Sequence, residues 1–223
     1  MMALALCACA PPASPPPSNP PQSPDAANAL TSLPSASEAA ALLAQLLPFA
    51  GDRYFSSTPY YRDAFGEAWV DVDHNSCNTR DDLLAARLVD VQLRDNGCYV
   101  DSGILHDPYT GATVAFERGP DTSPLVQIDH VVSLWEAWST GAEAWTADQR
   151  LAFANDPLNL IATTEQANDD KGALSIAEWQ PSTSSGRCDV ARRVVAVKTK
   201  YGLEIRDADR AELATLLAEC PRA

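Results

Sequence analysis

The chain has 223 residues, of which 46% are hydrophobic and 7% aromatic, a composition typical of a globular protein. Thirty acidic residues against sixteen basic ones give a net charge of −14. This charge excludes a global attraction to phosphate polymers or anionic membranes, so any contact with a nucleic acid requires a local basic patch.

The amino-terminal residues 1–9 resemble a truncated signal segment, because a short apolar stretch ends in Leu6-Cys7-Ala8-Cys9. Leucine at −3 and alanine at −1 are typical of a lipobox, which makes Cys9 the candidate for lipidation and for a membrane tether. A low-complexity tail is the alternative interpretation. Residues 10–35 are rich in proline and serine and predict a flexible linker, and residues 36–223 are expected to form one domain.

The first part of this domain predicts two helices and a hairpin. Residues 36–48 have helical composition and end at a proline. A second helix, with Asn78 or Thr79 as its N-cap, is predicted from four apolar residues at helical spacing: Leu83, Leu84, Leu88 and Val91. Two short β-prone runs then flank a turn signal at 107–111, which predicts a β-hairpin.

The second part of the domain alternates strands and helices. Asp156-Pro157 breaks one of the helices, and Gly172 lies near the C-cap of another. The predicted elements are a strand in 123–132, a helix reaching Trp138, a helix at 146–154, a strand at 158–164, and helices at 165–172, 189–201 and 207–219. This order predicts an α+β fold.

Four cysteines follow the tail, namely Cys77, Cys98, Cys188 and Cys220, and they lack the close C-x-x-C pairing of a zinc site. An even number suits two disulfides in an oxidising compartment, so we expect a secreted or cell-surface protein. Three pairings are possible. We favour Cys77 with Cys98 and Cys188 with Cys220, because each bond would join the two ends of one predicted helical segment.

Positive charge concentrates near the carboxyl end of the chain. Residues 187–206 contain six basic and two acidic residues, a local charge of +4. The helix at 189–201 is therefore the first candidate for a phosphate-backbone track, with Arg192, Arg193, Lys198 and Lys200 as contacts. A solvated face of an amphipathic helix is the alternative interpretation of the same charges.

Polar residues capable of phosphodiester chemistry occur in order along two strands and a helix. Asp129 and His130 end one strand, Asn159 begins the next, and Asn168 and Lys171 lie on the following helix. If the strands pair and the helix packs across them, these side chains converge in a ββα unit. A neutral histidine can deprotonate water, and carboxylate and amide oxygens suit a hard divalent cation.

Seven sequence blocks carry a resemblance to a known family. In chain order they are "YRDAFGEAW", "CNTRDDLL", "DPYTG", "QIDHVVSLWEAWSTGA", "FANDPLNLIATTEQANDDKG", "EWQPS" and "KTKYGL". Together they resemble a secreted bacterial HNH (ββα-metal) endonuclease family, related to the C-terminal nuclease domain of GmrSD restriction endonucleases. The resemblance covers about residues 60–220. It implies a ββα-metal core with an additional β-hairpin and flanking helices, braced by disulfides.

The same resemblance implies hydrolysis of DNA, and as an alternative also of RNA, with one divalent cation and no small-molecule cofactor. Mg²⁺ is favoured, with Mn²⁺ as the alternative, because Asn168 stands where many members of the superfamily carry histidine. His130 would be the general base, with Asp129 and Asn168 as metal ligands. Asn159 would hold the His130 loop, and Lys171 would contact the scissile phosphate or steady the metal site.

Two further arginines in these blocks, Arg62 and Arg80, are candidates for nucleic-acid binding. Ion pairs with nearby carboxylates are the alternative for both. Little sequence specificity is expected, because the chain shows no base-reading module such as a zinc finger. The alternative function from another class is a non-catalytic cell-surface binding module on a nuclease-like scaffold.

Overall fold

A computed structural model describes residues 33–49, 58–95 and 97–221, and none of the helices in these ranges is long and apolar enough to cross a membrane. Cys9 and most of the expected linker lie outside the described residues. The helices are α1 (Ala36–Leu43), α2 (Thr79–Arg87), α3 (Leu134–Ser139), α4 (Ala147–Ala154), α5 (Glu165–Lys171), α6 (Ser184–Tyr201) and α7 (Asp207–Glu219). The strands are β1 (Val89–Leu93), β2 (Val100–His106), β3 (Thr113–Glu117), β4 (Val126–His130) and β5 (Leu160–Thr164).

Helix α2 begins at the expected N-cap but ends earlier than the sequence predicts. The Asn78 side chain accepts a hydrogen bond from the backbone N–H of Asp81, as an N-cap does. The helix ends at Arg87, and β1 follows at once, so the expectation of helical spacing through Val91 is wrong. The β-branched Val89 and Val91 favour an extended backbone, and β1 pairs with β2 in a register broken by bulges.

The hairpin predicted around residues 107–111 is present and belongs to a three-stranded antiparallel sheet. The strand order is β1-β2-β3, and His106 and Thr113 form the last pair before the turn. Gly111 has a φ of 77°, a left-handed value that glycine adopts without a steric penalty. The residues of the predicted turn signal, 107–111, therefore form the turn.

Strands β4 and β5 form a separate two-stranded antiparallel sheet, and α5 packs against both strands. Asp129 pairs with Ile161, and His130 pairs with Leu160. Helix α5 starts directly at the end of β5, where the Thr164 side chain accepts a hydrogen bond from the N–H of Ala167. This strand–strand–helix succession brings the end of β4 next to the end of α5.

Two hydrophobic clusters surround this small sheet. One is formed mainly by the helices α1, α3, α4, α6 and α7, and it includes Ile161 of β5. The other joins α2 to the strands and includes Ile128 and Leu160. Because side chains alternate along a strand, β5 contributes to both clusters, which fixes the sheet between them.

The mixed α+β class and the two disulfides predicted from the sequence are confirmed. Cys77 pairs with Cys98, and Cys188 pairs with Cys220, as favoured. The expectation that each bond joins the two ends of one helical segment is wrong for the second disulfide, because α6 begins at Ser184 and already contains Cys188. The second disulfide therefore joins α6 to the carboxyl end of α7 instead of closing a single helical segment.

Removal of this second bridge should destabilise the protein measurably. The bond closes a sequence separation of 32 residues, which restricts the unfolded chain by about 3–4 kcal/mol in the loop-entropy description. We expect the variant Cys188→Ser/Cys220→Ser to lose this amount in urea unfolding followed by circular dichroism. A reducing agent should lower the stability of the wild-type protein and leave a variant that lacks the four disulfide-forming cysteines unaffected.

Candidate active site

The Asp129 carboxylate is nearly fully buried and is held from two directions. The Tyr109 hydroxyl donates to Oδ2 over 2.7 Å, and the Lys171 ammonium donates to Oδ1 over 3.0 Å. The relative exposure of the Asp129 and Lys171 side chains is 5% and 3%. The same ammonium also donates to the backbone carbonyl of His130 over 2.8 Å. Lys171, at the end of α5, therefore fixes both the side chain of Asp129 and the backbone of the next residue.

The imidazole of His130 is held by the end of α4. Its Nε2 lies 2.8 Å from the carbonyl oxygen of Ala154, one of the last carbonyls of that helix, which have no partner within the helix. A carbonyl oxygen only accepts hydrogen bonds, so Nε2 carries the proton and Nδ1 is the basic nitrogen of the neutral ring. The indole of Trp69 stacks on the imidazole, with ring centroids 6.5 Å apart and an interplanar angle of 12°.

The pKa of His130 is lowered to about 4, mainly because burial disfavours the charged imidazolium. The positive charges of Arg62 and Lys171 lower it further, whereas the Ala154 carbonyl and the Asp129 carboxylate act in the opposite direction. Burial outweighs these raising effects. His130 is therefore neutral at pH 7, which is the state required of a general base.

Asn159 is fully buried and holds the segment that follows His130. Its Oδ1 accepts from the N–H of Val132 over 2.8 Å, and its Nδ2 donates to the Val132 carbonyl over 3.1 Å. Its backbone carbonyl accepts from the N–H of Val131 over 2.8 Å. These contacts are what the expected role of Asn159, holding the His130 loop, requires.

Asn168, on α5, lies in the same cleft as Asp129 and His130. Its Nδ2 donates to Oε1 of Gln127 over 2.5 Å, which leaves Oδ1 as the acceptor of this amide. The cleft spans about 1050 Å³, including space open to solvent, and also has Arg62 in its lining. A carboxylate oxygen, an amide oxygen and space for water fit a hard divalent cation such as Mg²⁺.

This donor set differs from a cluster of strongly ligating side chains. Within the described parts of the chain, no three His, Cys, Asp or Glu side chains converge in a way that could hold a metal ion. A cation bound through Asp129 and Asn168 would keep most of its water ligands, as Mg²⁺ does in proteins. The residues present therefore fit Mg²⁺ or Mn²⁺ better than Zn²⁺.

Comparison with protein families decides the identity of the domain. Residues 78–216 match the family described as GmrSD restriction endonucleases, C-terminal domain. The chain belongs to this family. The resemblance noted from the sequence blocks is thereby confirmed, and the matched region contains every residue of the Asp129–His130–Asn159–Asn168–Lys171 set.

A protein of Arthroderma benhamiae is similar to this chain. It is 37% identical over 196 residues, covering 85% of this chain and 88% of the relative, and its name is "Uncharacterized secreted protein". No solved structure matches this chain significantly.

Two roles were expected of Lys171 in this GmrSD C-terminal domain, and its position does not suit the first, which is contact with the scissile phosphate. Its buried ammonium points at Asp129 and not into solvent. The geometry fits the second of its two expected roles, which is to steady the metal site.

The structure removes two residues from the phosphate track that the charge of α6 suggested. Arg193 and Lys198 are buried, and they pair with Asp189 and Glu136. The expectation that these two residues bind nucleic acid is therefore corrected, because neither side chain reaches the surface. The Lys200 ammonium pairs with the Asp156 carboxylate over 2.7 Å. The Arg192 guanidinium donates to the backbone carbonyls of Leu33 and Pro34.

The two arginines outside α6 differ in their surroundings. The Arg80 guanidinium donates to the carbonyls of Ser123 and Val126 over 3.2 and 2.7 Å and thereby anchors α2 to the start of β4. Burial lowers the pKa of Arg80. Arg62 is exposed, and it lines both the cleft and a smaller cavity of about 310 Å³ beside His130. Of the predicted basic contacts, Arg62 is therefore the one placed next to the candidate base.

Three parts of this site were not predicted from the sequence. Tyr109 was interpreted only as a turn residue, although its block "DPYTG" was noted. Trp69 belongs to the block "YRDAFGEAW", but the sequence indicates no role for it in the site. The Ala154 carbonyl leaves no side-chain signal at all, and only the predicted end of the helix at residue 154 indicated that unpaired carbonyls would be available there.

The neutral state of His130 can be measured on the metal-free protein. In EDTA, its imidazole should stay neutral until about pH 4 when followed by ¹⁵N NMR. Between pH 6.5 and about 4, this histidine is protonated in the unfolded chain but neutral in the folded chain. The free energy of unfolding should therefore fall as the pH drops from 6.5 to about 4. The loss is on the order of 3 kcal/mol, and His130→Gln should remove it. An imidazole that titrates near 6.5 would contradict the burial argument.

Proposed function

We propose that this GmrSD C-terminal domain is a metal-dependent HNH-type endonuclease that hydrolyses phosphodiester bonds of DNA, with RNA as a further substrate. One observation carries the proposal: a neutral His130, its Nδ1 basic, shares a cleft with the Asp129 carboxylate and the Asn168 amide. Membership of a nuclease-domain family supports the same reaction class.

In this proposal β4, β5 and α5 form the ββα-metal unit, and Asp129 and Asn168 hold one divalent cation, Mg²⁺ or Mn²⁺. When bound, such a cation supplies positive charge that stabilises the phosphate and the departing 3′ oxygen. Lys171 supports the site through its two hydrogen bonds, one to the Asp129 carboxylate and one to the His130 carbonyl.

His130 acts as the general base by removing a proton from water at Nδ1. The hydrogen bond from Nε2–H to the Ala154 carbonyl fixes the ring orientation and the tautomer. The two hydrogen bonds between Asn159 and Val132 prevent the segment after His130 from shifting. The ring is thus held by a backbone carbonyl and the following segment by a side-chain amide, and neither group changes charge during the reaction.

The substrate is bound with little sequence specificity. The overall charge of −14 opposes nucleic-acid binding, so the positive charge at the cleft must act locally. Arg62 is placed for contact with the phosphate backbone, and such contacts carry no base information.

We also propose that the protein is secreted. Two disulfides favour an oxidising compartment, and the Arthroderma benhamiae relative is described as secreted. Lipidation at Cys9, with a membrane tether, stays a prediction from the sequence.

Replacement of the base tests the enzyme directly. Purified full-length protein should cut plasmid DNA with Mg²⁺ or Mn²⁺, stop with EDTA, and lose activity at least about 100-fold in His130→Ala. His106→Ala is the matched control, because His106 is an exposed histidine on β2. RNA is digested in parallel. A folded wild-type protein that cuts neither substrate with either metal would contradict the proposal and favour the non-catalytic binding module.

Replacement of Arg62 tests the phosphate contact. Arg62→Ala should raise KM for DNA several-fold with a smaller effect on kcat, and it should reduce the salt dependence of binding by about one counterion. Arg94→Ala is the control, since Arg94 is an exposed arginine that pairs with Asp101. Equal effects of the two substitutions would show that Arg62 acts only through net charge.

A further inference from the structure

We infer that Tyr109 is a positioning residue for the metal site, holding the Asp129 carboxylate in the orientation that binds the cation. The inference rests on the proposed function and adds a residue from outside the strand–strand–helix unit. Its direct observation is the 2.7 Å hydrogen bond from the Tyr109 hydroxyl to Oδ2 of Asp129, between two side chains that are 0% and 5% exposed.

Tyr109 is presented by a turn that is tied firmly to β5. Asp107, at the start of the turn, accepts from the backbone N–H of Tyr109 over 3.0 Å. The same carboxylate accepts from the hydroxyls of Thr163 and Thr164 on β5 over 2.7 and 3.1 Å. Since β5 pairs with β4, the turn and Asp129 are held in one rigid frame.

A second set of contacts fixes the other side of the turn. The Tyr109 carbonyl accepts from the N–H of Ser182 over 2.9 Å, and the Pro108 carbonyl accepts from the Thr183 hydroxyl over 2.7 Å. The Tyr109 ring meets the Trp179 indole edge-on, with centroids 5.0 Å apart. The phenol therefore has little freedom to move, and its hydroxyl is a fixed donor.

The two donors to Asp129 leave its carboxylate little freedom. Tyr109 donates to Oδ2, and the Lys171 ammonium lies 3.0 Å from both carboxylate oxygens, so rotation of the carboxylate would break the hydrogen bond from Tyr109. An ionised carboxylate has about four lone-pair sites, so sites remain for a cation beside these two donors. Partners of this kind orient a ligand before the metal arrives, and their loss typically weakens metal affinity 10- to 100-fold.

The test is metal binding to the full-length protein without substrate. Mn²⁺ affinity is measured by electron paramagnetic resonance for the wild type, Tyr109→Phe and Asp129→Asn, with the fold checked by near-UV circular dichroism. Tyr109→Phe keeps the ring that packs on Trp179 and removes only the hydroxyl. We expect its Kd for Mn²⁺ to rise 10- to 100-fold, and we expect Asp129→Asn to bind no Mn²⁺ at this site.

Tyr201→Phe is the matched control. Tyr201 donates to a different buried carboxylate, Oδ2 of Asp156, over 2.8 Å, so its substitution removes an equivalent bond outside the site. Its Kd should stay within about twofold of the wild-type value. An unchanged Kd in Tyr109→Phe would overturn the positioning role and leave the nuclease proposal intact, whereas a wild type that binds no Mn²⁺ would overturn both.

A second measurement needs no substitution at Tyr109. In wild-type protein labelled with ¹³C-tyrosine, the Tyr109 resonance should shift on Mg²⁺ titration with the Kd of the site, and the Tyr201 resonance should not. This readout decides the question if Tyr109→Phe does not fold. A Tyr109 resonance that stays constant while Mg²⁺ binds would contradict the inference.

Discussion

The buried negative charge of Asp129 is the constraint on which the arrangement of this domain depends. An ionised carboxylate that is 5% exposed is tolerated only when hydrogen-bond donors or a cation compensate for lost hydration. The chain supplies a tyrosine from the β2–β3 turn and a lysine from the end of α5. A single side chain thus requires the hairpin, the β4–β5 sheet and α5 to meet at one point.

Local signals were sufficient for the elements that build the site. The C-cap Gly172 and the turn around Gly111 define their elements within a few residues of sequence. Strand β1 was missed because Leu88 and Val91 also satisfy helical spacing, and only pairing with β2 decides between the two states. Pairing with a strand outside the helical window leaves no trace within that window.

The residues of the site were likewise predictable where local signals sufficed, but not where they depend on contacts between separate segments. Asp129, His130, Asn159 and Asn168 were found because their order along two strands and a helix predicts that they converge. Contacts between distant segments were not found, since nothing in the sequence near Tyr109 indicates a partner twenty residues away. The basic helix shows the converse error. Its charges were counted correctly, but a count does not reveal that buried carboxylates neutralise them, as Glu136 does for Lys198.

Alternation along β4 explains how adjacent residues acquire opposite chemistry. Successive side chains of a strand point to opposite faces, so Asp129 turns towards Tyr109 and Lys171, while His130 turns towards Trp69 and the end of α4. The polar face supplies hydrogen-bond donors to the carboxylate, and burial on the other face keeps the imidazole neutral. Because the strand ends at the cleft, both groups still face the same space. A one-residue change of register would exchange the two environments and remove both the charged ligand and the neutral base.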